Sequence, residues 1–129
     1  MIDSKYKYSD ITEKIIRCAM KVHSYLGNGF PEYIYGRSLS LEFEKADINY
    51  VREIELPVYY YEKEVGIRRA DFIVENVVLI EMKAIKALDE NCTAQILNYL
   101  KAFKIEVGLL INFGEKSLKF KRFINKIID

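Results

Sequence analysis

Apolar residues recur at helical spacing near the start of the chain. Ile15, Ile16, Ala19, Met20, Val22, His23 and Leu26 fall at intervals of three and four, so residues 10–26 predict an amphipathic helix. Asp10 stands where a cap belongs, and Glu13 three residues later completes a capping-box pattern. Gly27 marks the end. Beyond a glycine-rich loop, Pro31 is a favoured first helical residue. Tyr35, Leu39 and Phe43 at i, i+4, i+8 carry a second helix to about Ala46. After Asp47 the period changes. Residues 48–61 are β-branched and aromatic with Pro57 interrupting, which predicts one bent strand or two short ones. Glu62-Lys63-Glu64 is a polar turn, residues 65–74 a strand, Glu75-Asn76 a turn and residues 77–83 another strand. Helical spacing returns over residues 89–103, with Ala94, Leu97, Leu100 and either Ile96 or Tyr99 available for burial. Residues 107–113 are almost continuously apolar, as in a strand covered on both faces. After a turn at residues 114–117, residues 118–124 alternate, with Leu118 and Phe120 on one side and Lys119 and Lys121 on the other.

The element order is therefore ααβββαββ. It describes an α/β (mixed α+β) fold, a central mixed sheet flanked by helices, with residues 1–129 as one domain. The strand, helix and strand of residues 77–113 should make a right-handed parallel crossover. A chain of 129 residues, 50% hydrophobic and 30% charged, has the composition of a globular fold. Lys and Arg number 20 against 19 Asp and Glu, a net charge of +1, so bulk charge does not hold this chain to nucleic acid and any such contact needs a local patch. No apolar run approaches the roughly 20 residues of a membrane span. The polar start MIDSKYKYSD has no signal-peptide pattern, and Cys18 and Cys92 form no CxxC pair, so a cytoplasmic protein with reduced thiols is expected. One histidine and two unclustered cysteines leave no zinc-finger site. A serine triad would need His23, and no nucleophile-elbow sequence accompanies it.

Three polar residues stand inside the apolar strands of the second hairpin. Glu81 and Lys83 are two apart and share a face. Asp71 and Glu81 are symmetric about Asn76. A three-residue connection centred there sets them opposite each other, with Cβ atoms roughly 5 Å apart; a two-residue loop shifts the pairing by one. Facing carboxylates repel unless one protonates or a cation binds between them. A hard divalent ion such as Mg²⁺ takes such ligands. Lys83 would then orient water or stabilise charge on a phosphate. The same residues also fit an ordinary Asp71–Lys83 ion pair on a solvated face, with Glu81 at the surface.

Asp71 followed by Glu81-Met82-Lys83 resembles the signature of the PD-(D/E)XK nuclease superfamily. Gly29-Phe30-Pro31-Glu32-Tyr33-Ile34-Tyr35 resembles the motif that names its GxxExxY branch. Further resemblances are Val22-His23 before Leu26-Gly27, Leu56-Pro57-Val58-Tyr59-Tyr60, Arg69-Ala70-Asp71-Phe72, Gln95 to Lys101, and Gly108 to Gly114. Together they cover residues 11–122. The resemblance implies a restriction-endonuclease-like core. It implies that Asp71, Glu81 and the Met82 backbone carbonyl bind Mg²⁺ or Mn²⁺, that Lys83 is the catalytic lysine, that Glu32 reaches the metal through water, and that Gln95 lines the site. Ala70 replaces the signature proline, which shapes backbone and supplies no ligand.

The expected function is metal-dependent hydrolysis of phosphodiester bonds in nucleic acid, DNA in first place. The alternative is a catalytically inactive nuclease fold kept as a binding or assembly module. Arg69, Lys119, Lys121 and Arg122 are candidate substrate contacts, with a solvated face as the default for each cluster. The near-zero net charge fits a small footprint, or a homodimer that supplies more basic surface. His23 on its apolar stripe is expected to be packed rather than catalytic, Tyr35 to be core, and Tyr59, Tyr60 and Tyr61 to be partly exposed strand residues.

Overall fold

The computed structural model describes residues 7–126; the polar start of the chain, residues 1–6, lies outside them. Its elements are α1 (Ser9–Leu26), α2 (Glu32–Lys45), β1 (Tyr50–Tyr60), β2 (Lys63–Val74), β3 (Val78–Lys83), α3 (Glu90–Phe103), β4 (Val107–Asn112) and β5 (Lys119–Ile124). The strands lie side by side in chain order. All neighbours are antiparallel except β3 and β4, which α3 joins as a parallel pair. The expected order and mixed sheet are both present.

Two cores follow from this layering. On one face Ile15, Ala19, Tyr35, Leu39 and Phe43 of α1 and α2 pack on Phe72, Ile80 and Ile111. On the other, Ile96 and Leu100 of α3 pack on Leu79 and Leu110. Between helices on both sides, β4 is buried at every residue, which is why its sequence is an unbroken apolar run. Among the described residues no helix is long and apolar enough to cross a membrane.

Several local expectations are corrected. Asp10 does not cap α1. Tyr8 occupies that position in a left-handed conformation, Asp10 falls in the first turn, and Glu13 reaches Arg17 at 3.7 Å. The buried face of α1 is Thr12, Ile15, Cys18, Ala19, Val22 and His23, and Met20 is exposed. On α3 the buried set is Cys92, Ile96, Tyr99 and Leu100, while Ala94 and Leu97 face solvent. The cause lies in β4: a Cβ on Gly108 would sit 3.0 Å from Leu100 and 3.1 Å from Ile96. The missing side chain makes the seat for those two residues and turns the helix. β1 is one strand, with Pro57 tolerated at the sheet edge and a register shift between Val58 and Tyr59. The first hairpin turns at Tyr61-Glu62, earlier than the charged residues suggested.

The second hairpin is the part that positions chemistry. Phe72 pairs with Ile80, Ile73 with Leu79 and Val74 with Val78. Residues 75–77 connect the strands, with Glu75 and Asn76 at positive φ (52° and 61°) and the Val77 N–H on the Val74 carbonyl at 3.0 Å. This is the register centred on Asn76.

Candidate active site

The β2–β3 ladder ends at Phe72↔Ile80, so Asp71 and Glu81 are the first facing residues beyond it. With the strands parting here, Asp71 Oδ2 takes the Met82 N–H at 2.6 Å. Glu81 is only 5% exposed, and its carboxyl hydrogen-bonds that of Asp71. Burial above all, then that bond and the Asp71 charge, push the Glu81 carboxyl up to about 10; the Lys83 ammonium works against the rise. In the metal-free protein the pair therefore keeps a proton. A surface ion pair of Asp71 and Lys83 is not what forms, since Glu81 is buried and Lys83 Nζ donates to Gln95 Oε1 at 2.8 Å.

Lys83 ends β3, and the chain around it is clamped. Its carbonyl accepts the Phe113 N–H at 2.8 Å. In the neighbouring strand, fully buried Asn112 accepts the Ile85 N–H and donates to the Ile85 carbonyl, both at 3.0 Å. Gln95 comes from the second turn of α3, whose N-cap Asp89 accepts the Cys92 N–H at 3.1 Å. That bond holds the Asp89 carboxylate below its usual range.

Tyr99 follows one helical turn after Gln95 and is buried. Its hydroxyl is raised above the ordinary tyrosine range by burial, then by the Glu81 charge, with Arg68 opposing. It belongs to this cluster as well as to the core beneath α3. The available signal was its position four residues after Gln95 on one helix face.

Glu32 opens α2 at the solvent-exposed mouth. Partial desolvation and the Asp71 charge raise its carboxyl, against the pull of Lys83, so it stands in the same field. Tyr35 fixes the loop before it. The fully buried tyrosine donates to the Gly27 carbonyl at 2.6 Å, accepts the Phe30 N–H at 3.2 Å and stacks on Phe113 at 4.8 Å. His23 is packed as expected, its Nε2 donating to the Glu115 carbonyl at 2.8 Å.

Asp71, Glu81, Lys83, Gln95 and Glu32 thus share one region. Among the described residues no three His, Cys, Asp or Glu side chains are grouped to hold one ion. The direct carboxylate donors are two, Asp71 and Glu81, and the remaining positions fall to carbonyl or water oxygen. Two touching carboxylates with hard oxygen donors suit a Mg²⁺-like ion.

The basic residues divide. Arg69 is exposed on β2, two residues from Asp71. Lys119 lies in register with Asn112 and so with Lys83; Lys121 lies in register with Leu110 and so with Glu81. Each is two strand spacings away, roughly 10 Å. Arg122 is the exception. It pairs with Leu109, whose side chain faces the α1–α2 core, and it donates to the Lys7 carbonyl.

A family model described as the PD-(D/E)XK nuclease superfamily matches residues 9–123. The crystal structure of SSO0001 has a similar fold, with a TM-score of 0.59 and 20% sequence identity over 96% of this chain and 61% of that one. The chain thus spans about three-fifths of the length of that relative. No curated protein matches the sequence.

Proposed function

The chain belongs to the PD-(D/E)XK nuclease superfamily, and from that membership we propose that it is a metal-dependent nuclease of the GxxExxY branch. It would cut phosphodiester bonds of nucleic acid, DNA in first place, as one nuclease-like domain in the cytoplasm, where the buried free cysteines Cys18 and Cys92 stay reduced. The observation that carries this reading is buried Glu81 between Asp71, held on the Met82 N–H, and Lys83, held on Gln95. Asp71, Glu81 and the Met82 carbonyl would hold Mg²⁺ or Mn²⁺, with Glu32 reaching it through water. A divalent ion bound there supplies Lewis-acid stabilisation of phosphate charge and makes water nucleophilic near neutral pH.

The chain's own groups do the rest. Lys83 spends one ammonium proton on Gln95 and has two left to hold water or a phosphate oxygen. Gln95 thereby aims the amine. Asp71 is anchored on the Met82 N–H through Oδ2. Arg69 on one side and Lys119 and Lys121 on the other would contact flanking phosphates.

Labelled single-stranded, duplex and branched DNA and RNA, incubated with Mg²⁺ or Mn²⁺, test this. Cleavage is expected, abolished by chelation and lowered about 10²–10³-fold in Lys83→Ala. Metal binding without cleavage of any substrate would overturn the enzymatic reading and favour the binding or assembly module.

A further inference from the structure

β2 is longer than the sheet beside it. Its pairing with β3 begins at Phe72, while its pairing with β1 runs out to Tyr60↔Lys63. Residues 63–70 and their β1 partners therefore form a two-stranded ribbon with no third strand. Such ribbons are marginal alone in water. This one exposes Tyr59, Tyr60, Tyr61, Val65 and Ile67 by 57–87%. Clustered apolar exposure of this kind marks an interaction surface.

The sheet's other free edges are guarded against pairing. On β1, Pro57 has no N–H to offer, and Glu53 sits at φ 56° and drops out of the ladder. On β5, Lys119 and Lys121 add charge. The distal edge of β2 has Val65-Gly66-Ile67 at its middle. Among the described residues no hydrogen bond from an element other than β1 reaches residues 63–70. A Cβ built at Gly66 would meet nothing within 4 Å.

We propose that this edge pairs with the same edge of a second copy of the chain, antiparallel and centred on Gly66. The two ribbons become one four-stranded sheet across a two-fold axis. The register sets Val65 against the partner's Ile67 and Glu64 against the partner's Arg68, each twice by symmetry. Lys63 meets the partner's Arg69 only at the solvated ends, where salt screens like charges. The pairing of Glu64 with the partner's Arg68, twice by symmetry, selects a second copy as the occupant.

Sedimentation of the full chain tests the pairing, with thermal melts confirming that each variant folds. Wild type is expected at twice 15.2 kDa. Glu64→Arg and Arg68→Glu each set like charges across both symmetric pairs and should raise the dimer Kd about tenfold. Combined in one chain they restore opposite signs, and the dimer should return. Ile67→Lys should give a monomer. If Ile67→Lys fails to fold, the charge-swap rescue alone decides. A wild type that stays monomeric at about 0.1 mM overturns the proposal, as does a dimer indifferent to these changes. So does a monomer whose nucleic-acid affinity falls in Tyr60→Ser, which makes the ribbon a nucleic-acid arm. None of these readouts uses cleavage, so their failure leaves the nuclease reading standing.

Discussion

A carboxyl that is almost fully buried against a second carboxyl weakens its own fold once it ionises. Glu81 is in that position. Its folded pKa is raised above the ordinary value of about 4.3, so the folded state holds a proton that the unfolded chain releases. The stability this contributes is complete below that ordinary value and is lost as pH rises toward the folded one. Metal-free protein should therefore weaken steadily from pH 5 to pH 9, by at most about 1.4 kcal/mol per pH unit. Glu81→Gln should flatten the slope and be the more stable protein at pH 8. Urea unfolding in chelator across that range measures both, and a stability rising with pH in wild type would contradict the account. The same proton must leave when a divalent ion binds, so Mn²⁺ affinity should rise with pH. Calorimetry in buffers of different ionisation enthalpy should detect up to one proton released per ion. Asp71 and Glu81 were legible in the sequence because a hairpin has mirror symmetry and strands have period two. Tyr99 was not, because on an apolar helix stripe a buried tyrosine beside a site reads like one in a core. The face that Arg122 takes depends on the register of β5, which its own sequence does not fix.

At the scale of elements, the order and type of every helix and strand could be read from the change of hydrophobic period. Boundaries and helix rotation could not. The α1 cap failed because a capping box needs the chain to enter at one angle, and here Tyr8 turns it through a left-handed residue. The α3 face was set by a glycine in the next element, β4, information absent from the helix itself. The loop before α2 depends on Tyr35, which was legible as core but not as the brace it is. Tyr35→Phe keeps the ring stack on Phe113 and removes both hydroxyl bonds. It should cost about 1 kcal/mol in urea unfolding and lower cleavage less than Lys83→Ala, by loosening Glu32. Gly114→Ala is predicted to be worse. Its Cβ would meet the Ile85 backbone at 2.3 Å, so the loop after β3 must move. A loss of about 2 kcal/mol or more in the same assay is expected, with Lys83 displaced and cleavage reduced.

For the whole molecule, a net charge of +1 leaves only the small basic groups around the site to meet a polyanion. With Arg69, Lys119 and Lys121 as the contacts, log Kd against log salt should have a shallow slope of roughly 3, about 0.9 per phosphate contact. A much steeper dependence would mean a basic surface outside the one described. Cleavage assays depend on finding the right substrate, whereas filling the carboxylate pair does not. The most direct measurement is thus the melting temperature of wild type and Asp71→Asn with and without Mn²⁺. An ion that binds only the folded site stabilises it by about 2.7 kcal/mol at a hundredfold excess over Kd. Wild type should therefore melt higher with Mn²⁺. Asp71→Asn should lose that rise while melting no lower than wild type without metal, because the proton-sharing pair loses its one net charge and the amide oxygen can still accept the Met82 N–H. A wild-type melt indifferent to millimolar Mn²⁺ and Mg²⁺ would contradict the account.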